Sequence, residues 1–189
     1  LSIVLWEYPD RKERDVAVTD IRIPSKAIYN DVIDVTVFVS NIGKTDQNSI
    51  EVTLYYHDGS SWVKFNCVEG NPKYIDLPAR KFGTVNFTCY TQNMKYTNTP
   101  GGTRYPVKAE AKISYDDNTT NDQCTGEFNL TYLNVAIINL ITSWNVTILK
   151  YQIDVTAKNT GTTDASSVPI FVYDNKKPIS DVWCEAMTI

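Results

Sequence analysis

The sequence predicts an all-β protein built as two β-sandwiches in tandem, the second of them incomplete. Three observations lead there. Period-two alternation of apolar and polar residues runs through most of the chain, while helical periodicity is almost absent. Turn-forming clusters, among them Asp58-Gly59, Thr99-Pro100-Gly101-Gly102 and Asp116-Asp117-Asn118, separate the alternating runs. A long stretch from the first third of the chain also recurs, ungapped, near its C-terminus.

The strands follow in order from the alternation. They are expected at 16–23, 32–40, 49–57, 62–65, 84–89, 105–113 and 126–132. The run 105–113 is the clearest. Tyr105, Val107, Ala109, Ala111 and Ile113 are apolar, and most of the residues between them are charged, as in a strand with one buried and one wet face. In 84–89 the same logic buries Val85, Phe87 and Cys89 and turns Asn86 outward. Short strands at this spacing, split by turns, make a sandwich.

The repeat sets the domain organisation. Residues 35–56 align with 153–174, so that Val37 matches Val155, Asn41 matches Asn159 and Gly43 matches Gly161. Asp15-Val16-Ala17-Val18 resembles Asn134-Val135-Ala136-Ile137 in the same way. The Asn-x-Gly-x-Thr-Asp core of the repeat reads as a strand-to-strand turn, with glycine and asparagine taking conformations that other residues resist. The organisation expected is an N-terminal strand and linker at 1–14, a first sandwich at 15–132 and a second, incomplete one at 133–189.

Composition excludes several functions. A net charge of -4 gives no basic patch of the kind a nucleic acid needs. The mixed-sign run at 10–15 reads as a solvated linker. The apolar stretches at 1–6 and 135–141 fall far short of the roughly 20 residues of a spanning helix. The single histidine, His57, sits beside a turn with no nucleophile at a telling spacing. Asp116, Asp117, Asn118, Asn121 and Asp122 are oxygen donors, but their spacing is not that of a calcium loop, and a hydrated turn is the reading taken. Tyr55, Tyr56, Trp62 and Tyr74 make a sugar platform conceivable, although sandwich cores use the same residues. No catalytic residue, cofactor or metal is expected, and the protein is not read as an enzyme.

Secretion is the expected context. The four cysteines, Cys67, Cys89, Cys124 and Cys184, suggest two disulfides, with three connectivities open; a slight preference goes to Cys67–Cys124, leaving Cys89 and Cys184 to each other or to another subunit. Asn86, Asn118, Asn129 and Asn145 head N-glycosylation sequons, so N-linked glycans are expected. The first residue is Leu1 rather than Met, which reads as the product of signal-peptide removal.

From Asp15-Val16 onward, the alternating strand ending in Ser40-Asn41-Ile42-Gly43, the Leu77 to Arg80 segment and the Tyr105-Pro106-Val107-Lys108-Ala109 strand are together similar to CARDB-type domains. These are immunoglobulin-like adhesion modules of archaeal and bacterial surface proteins, so the resemblance implies an immunoglobulin-like fold.

In the second half, counterparts of 104–113 and 126–132 are lacking. A sandwich short of strands exposes an apolar groove and open ladder hydrogen bonds. Residues 1–8 supply a spare strand. Leu1, Ile3, Val4, Leu5, Trp6 and Tyr8 make it apolar on both faces, and Pro9 ends it. Eight extended residues span about 26 Å. Burying about five large side chains contributes roughly 10 kcal/mol before entropy costs. The expectation is donor-strand complementation: residues 1–8 of one copy complete 134–189 of the next, giving a head-to-tail homopolymer. The competing readings are a strand folded back on its own chain and a sequence that continues past Ile189. This arrangement resembles the subunits of extracellular threads of Sulfolobus-like archaea, glycosylated all-β filaments joined by an N-terminal donor strand. The resemblance implies a cell-surface filament serving adhesion or biofilm formation. The alternative is a non-polymerising adhesion or carbohydrate-binding module of a larger surface protein.

Overall fold

The computed structural model describes residues 12–96, 101–147, 150–166, 168–170, 173–174 and 177–178. The described residues form strands and turns without a helix. The strands are β1 (Val16–Arg22), β2 (Lys26–Ile28), β3 (Val32–Asn41), β4 (Gln47–His57), β5 (Trp62–Lys64), β6 (Lys73–Leu77), β7 (Phe82–Tyr90), β8 (Thr103–Lys112) and β9 (Gln123–Thr131). They are followed by β10 (Val135–Asn145), β11 (Lys150–Asn159), β12 (Tyr173–Asp174) and β13 (Lys177–Pro178). The chain divides into two compact units: Leu1–Lys95 with Thr103–Leu130, and Tyr96–Gly102 with Thr131–Ile189.

The first unit contains two sheets. One has the order β1-β3-β7, and the other β2-β9-β8-β4-β5, with β6 also paired to β4. Their ladders are antiparallel. Read as immunoglobulin strands, β1-β3-β7 corresponds to A-B-E and β4-β8-β9 to C-F-G, so the topology is that of an immunoglobulin-like sandwich. Each sheet sends every second residue inward. On β3 these are Ile33, Val35, Val37 and Val39; on β7 Val85, Phe87 and Cys89; on β8 Tyr105, Val107, Ala109 and Ala111. A single buried cluster takes in both sets, which shows the two inner faces packed on one another.

The seven strands expected between residues 16 and 132 are found, with ends shifted by up to three residues; the strand expected at 1–8 lies outside the described residues. Two more are present among the described residues of the first unit. β2 and β6 are short and pair at the margins of the larger sheet, where three to five residues leave little alternation to read. One expectation is overturned here: the disulfide is Cys67–Cys89, not Cys67–Cys124. Cys89 lies inward on β7, and Cys67 forms an isolated bridge to it, so the two meet within one face of the sandwich. Cys124 stands on β9 opposite Ala109 of β8 and has no disulfide among the described residues.

In the second unit β10 and β11 form an antiparallel two-stranded ladder, and β12 and β13 a second, short one.

Candidate assembly surface

The β10–β11 ladder repeats the residue pairing of β1–β3 over its first six pairs and then continues for four more. In the first unit Val16 pairs with Asn41 and Val18 with Val39, and a bulge between Val18 and Asp20 then shifts the register. In the second, Val135 pairs with Asn159 and Ile137 with Ala157, and a bulge falls between Ile137 and Asn139. The turns match as well. Asn41 donates from Nδ2 to the Thr45 carbonyl at 2.9 Å and accepts the Gly43 N–H at Oδ1 at 3.1 Å. Asn159 donates to the Thr163 carbonyl at 2.8 Å and accepts the Gly161 N–H at 2.9 Å. Even the incoming chain is held alike: Ile42 and Gly43 donate to the Asp15 carbonyl, Thr160 and Gly161 to that of Asn134.

This correspondence provides an internal control. By register, Ile137 and Leu140 occupy the places of Val18 and Ile21, and Val155 that of Val37. Directly opposed residues of an antiparallel pair lie on the same face, so Ile137, Leu140, Ala157 and Val155 share one side of the ladder. In the first unit the equivalent side is the sandwich core: Val18, Ile21, Val37 and Val39 are all buried. In the second, Ile137 is 54% exposed and Leu140 57%, while Ile153, Val155 and Ala157 are half-buried. The strand pattern is that of a core face, and its β10 side chains meet solvent. An apolar face left open in the second half was expected from its missing strands, and Ile137 and Leu140 are the exposed residues found on it.

The residues expected to fill that face, Leu1, Ile3, Val4, Leu5, Trp6 and Tyr8, lie outside the described residues, as does Cys184. Of the sequon asparagines, Asn86 projects from the exposed side of β7, its Oδ1 accepting from the Thr36 hydroxyl at 2.9 Å. Asn118 lies in the turn between β8 and β9, and its Oδ1 accepts from Thr120 Oγ1 within the sequon at 2.7 Å. Asn129 is half-buried on β9, and Asn145 ends β10.

The aromatic group divides. Tyr56 turns inward, its ring 5.0 Å from Phe65 and 5.9 Å from Tyr105, and does not belong to an exposed platform. Tyr55 and Trp62 share the Lys108 ammonium, 4.9 and 5.3 Å from their ring centres. Tyr74 is exposed and donates to Glu51 at 3.3 Å. His57 accepts the Gly59 N–H at Nδ1 in the turn and stands edge-on to Trp62. Among the described residues, no three His, Cys, Asp or Glu side chains gather to hold a metal ion, and no helix is long and apolar enough to cross a membrane.

No family model matches this chain, and no curated protein matches it. Solved structures do. The CARDB domain of the PF1109 protein from Pyrococcus furiosus, crystallised in complex with di-metal ions, is 16% identical at a TM-score of 0.48, over 65% of this chain and 97% of that one. The solution structure of the same domain gives 16% and 0.47, over 63% and 96%. The β-glucosidase EmGH1 from Erythrobacter marinus gives 12% and 0.45 over 62% of this chain, which spans only 15% of the glucosidase. The likeness is one of fold alone.

Proposed function

We propose that this chain is a structural subunit of an extracellular filament, joined head to tail by residues 1–8 of one copy completing the second unit of the next. The observation that carries this reading is the solvent-facing inner side of β10–β11, whose counterpart in the first unit is sandwich core. Each large side chain covered there stabilises the contact by about 1.5–3 kcal/mol. The segment at 1–8 is apolar on both faces, the pattern of a strand buried on both sides. The Cys67–Cys89 disulfide is compatible with the oxidising exterior in which such a filament forms.

Deleting residues 1–8 tests the proposal. Electron microscopy of the full chain is expected to show thin beaded filaments, and of the deleted chain only monomers. Filaments from the deleted chain, or monomers from the full chain at high concentration, would overturn it. In the second case the adhesion-module reading takes its place.

A further inference from the structure

A buried carboxyl group sits where the chain enters the first sandwich. Loop 116–122, between β8 and β9, is laced to residues 14–18. The Arg14 N–H donates to Asp117 Oδ2 at 2.9 Å and the Val16 N–H to Asp116 Oδ2 at 3.0 Å. Asn121 donates from Nδ2 to Asp15 Oδ1 at 2.9 Å, and its carbonyl accepts the Val18 N–H at 3.0 Å. Asp117 N–H returns a bond to the Arg14 carbonyl at 2.8 Å. Asp122 closes the loop: its carbonyl accepts the Ala111 N–H of β8 at 2.9 Å, and the residue is only 8% exposed.

Its side chain is the anomaly. Asp122 Oδ1 is buried without a hydrogen-bond partner, as is Asn121 Oδ1 beside it in sequence. The charged groups around Asp122 are mostly of its own sign. Asp116 is on the same loop, Asp15 leads into β1, and β8 contributes Glu110 and the opposing Lys112. An ionised carboxylate there is both desolvated and repelled; a protonated one is not repelled and costs far less to bury.

We propose that Asp122 is a proton-operated latch: with a proton on its carboxyl, loop 116–122 stays closed on residues 14–18, and loss of that proton loosens the loop. Burial first, and then the charges of Asp116, Asp15 and Glu110, push this carboxyl up to about 6 from an ordinary value of 3.8. The folded protein therefore holds a proton that the opened form has already released. The latch is strongest below the ordinary value, weakens as pH rises towards about 6, and changes no further above it. Within that window the opening equilibrium shifts about tenfold per pH unit, on the order of 100-fold in all. Residues 14–18 are also the root of the N-terminal segment, so acidity sets how firmly that root is fixed, whether or not the segment serves as a donor strand.

The test uses the full chain. Protection factors of the Val16 and Val18 amides, corrected for the pH dependence of intrinsic exchange, are measured by hydrogen exchange between pH 4 and 7. They are expected to fall towards pH 6 in the wild type and to stay level in Asp122→Asn. In the wild type alone, the Asp122 carboxyl carbon followed by NMR is expected to titrate near 6, which keeps the idea testable if the variant does not fold. A midpoint near 4, or the same pH profile in both proteins, would overturn it. So would millimolar calcium abolishing the pH dependence of the wild type, since the unpartnered oxygens would then be cation ligands.

Discussion

A methyl group placed on the α-carbon of Gly161 would stand 2.5 Å from the carbonyl oxygen of Tyr132. The obstacle is backbone, which has no rotamer to yield. The same is true at Gly43, where the added carbon would meet the Glu13 carbonyl at 2.8 Å and the Asp15 nitrogen at 2.9 Å. In both units the turn is pressed against the incoming chain.

Gly43→Ala is therefore expected to destabilise the first sandwich by about 1–3 kcal/mol, the usual cost of overpacking. Urea denaturation followed by tryptophan fluorescence measures it. An unchanged midpoint would show that the incoming chain gives way.

Asn41 is fully buried, and its amide bonds the Thr45 and Leu77 carbonyls as well as the Gly43 N–H. Asn41→Ala strands buried backbone groups and is expected to cost about 1–3 kcal/mol. Asn159 is only half-buried, so Asn159→Ala is expected to cost less. Denaturation curves of the two variants give the order.

Cys67 and Cys89 close a loop with a sequence separation of 22. Cys67→Ser with Cys89→Ser is expected to lower stability by about 2–4 kcal/mol. Mass spectrometry of a non-reduced digest should find the Cys67 and Cys89 peptides joined. Cys67 joined to Cys124 instead would refute the observed pairing.

Ile137→Ser with Leu140→Ser places hydroxyls on a face that already meets water. The expected change in monomer stability is small, about 0.5 kcal/mol per site, with filaments lost. Val18→Ser with Ile21→Ser, at the matching positions, is expected to unfold the first sandwich instead. Calorimetry and microscopy on both pairs separate surface from core.

The main strands were legible because their alternation is long: five apolar residues from Tyr105 to Ile113 leave no other reading. The Asn-x-Gly turn was legible as a repeat, since its hydrogen bonds depend on those residue types. β2 and β6 were not, because strands of three and five residues at a sheet margin are specified by their neighbours rather than by their own pattern. The partner of Cys67 also escaped. Pairing depends on which residues face one another across the fold, and Cys67 reaches β7 through a single bridge outside any regular strand. Alternation along the strand expected at 49–57 already parts Tyr55 and Tyr56 to opposite faces, but the company each keeps, Lys108 for one and Phe65 for the other, depends on neighbouring strands.

The Cys67–Cys89 bond also bears on how the molecule answers to force. A chain drawn from its ends pays out slack as it unravels, but the segment enclosed by this bond is held back. An enclosed span of 22 residues withholds roughly 75 Å of extension. Oxidised, the first sandwich is a shorter tether that stops abruptly; reduced, it becomes a longer and softer one.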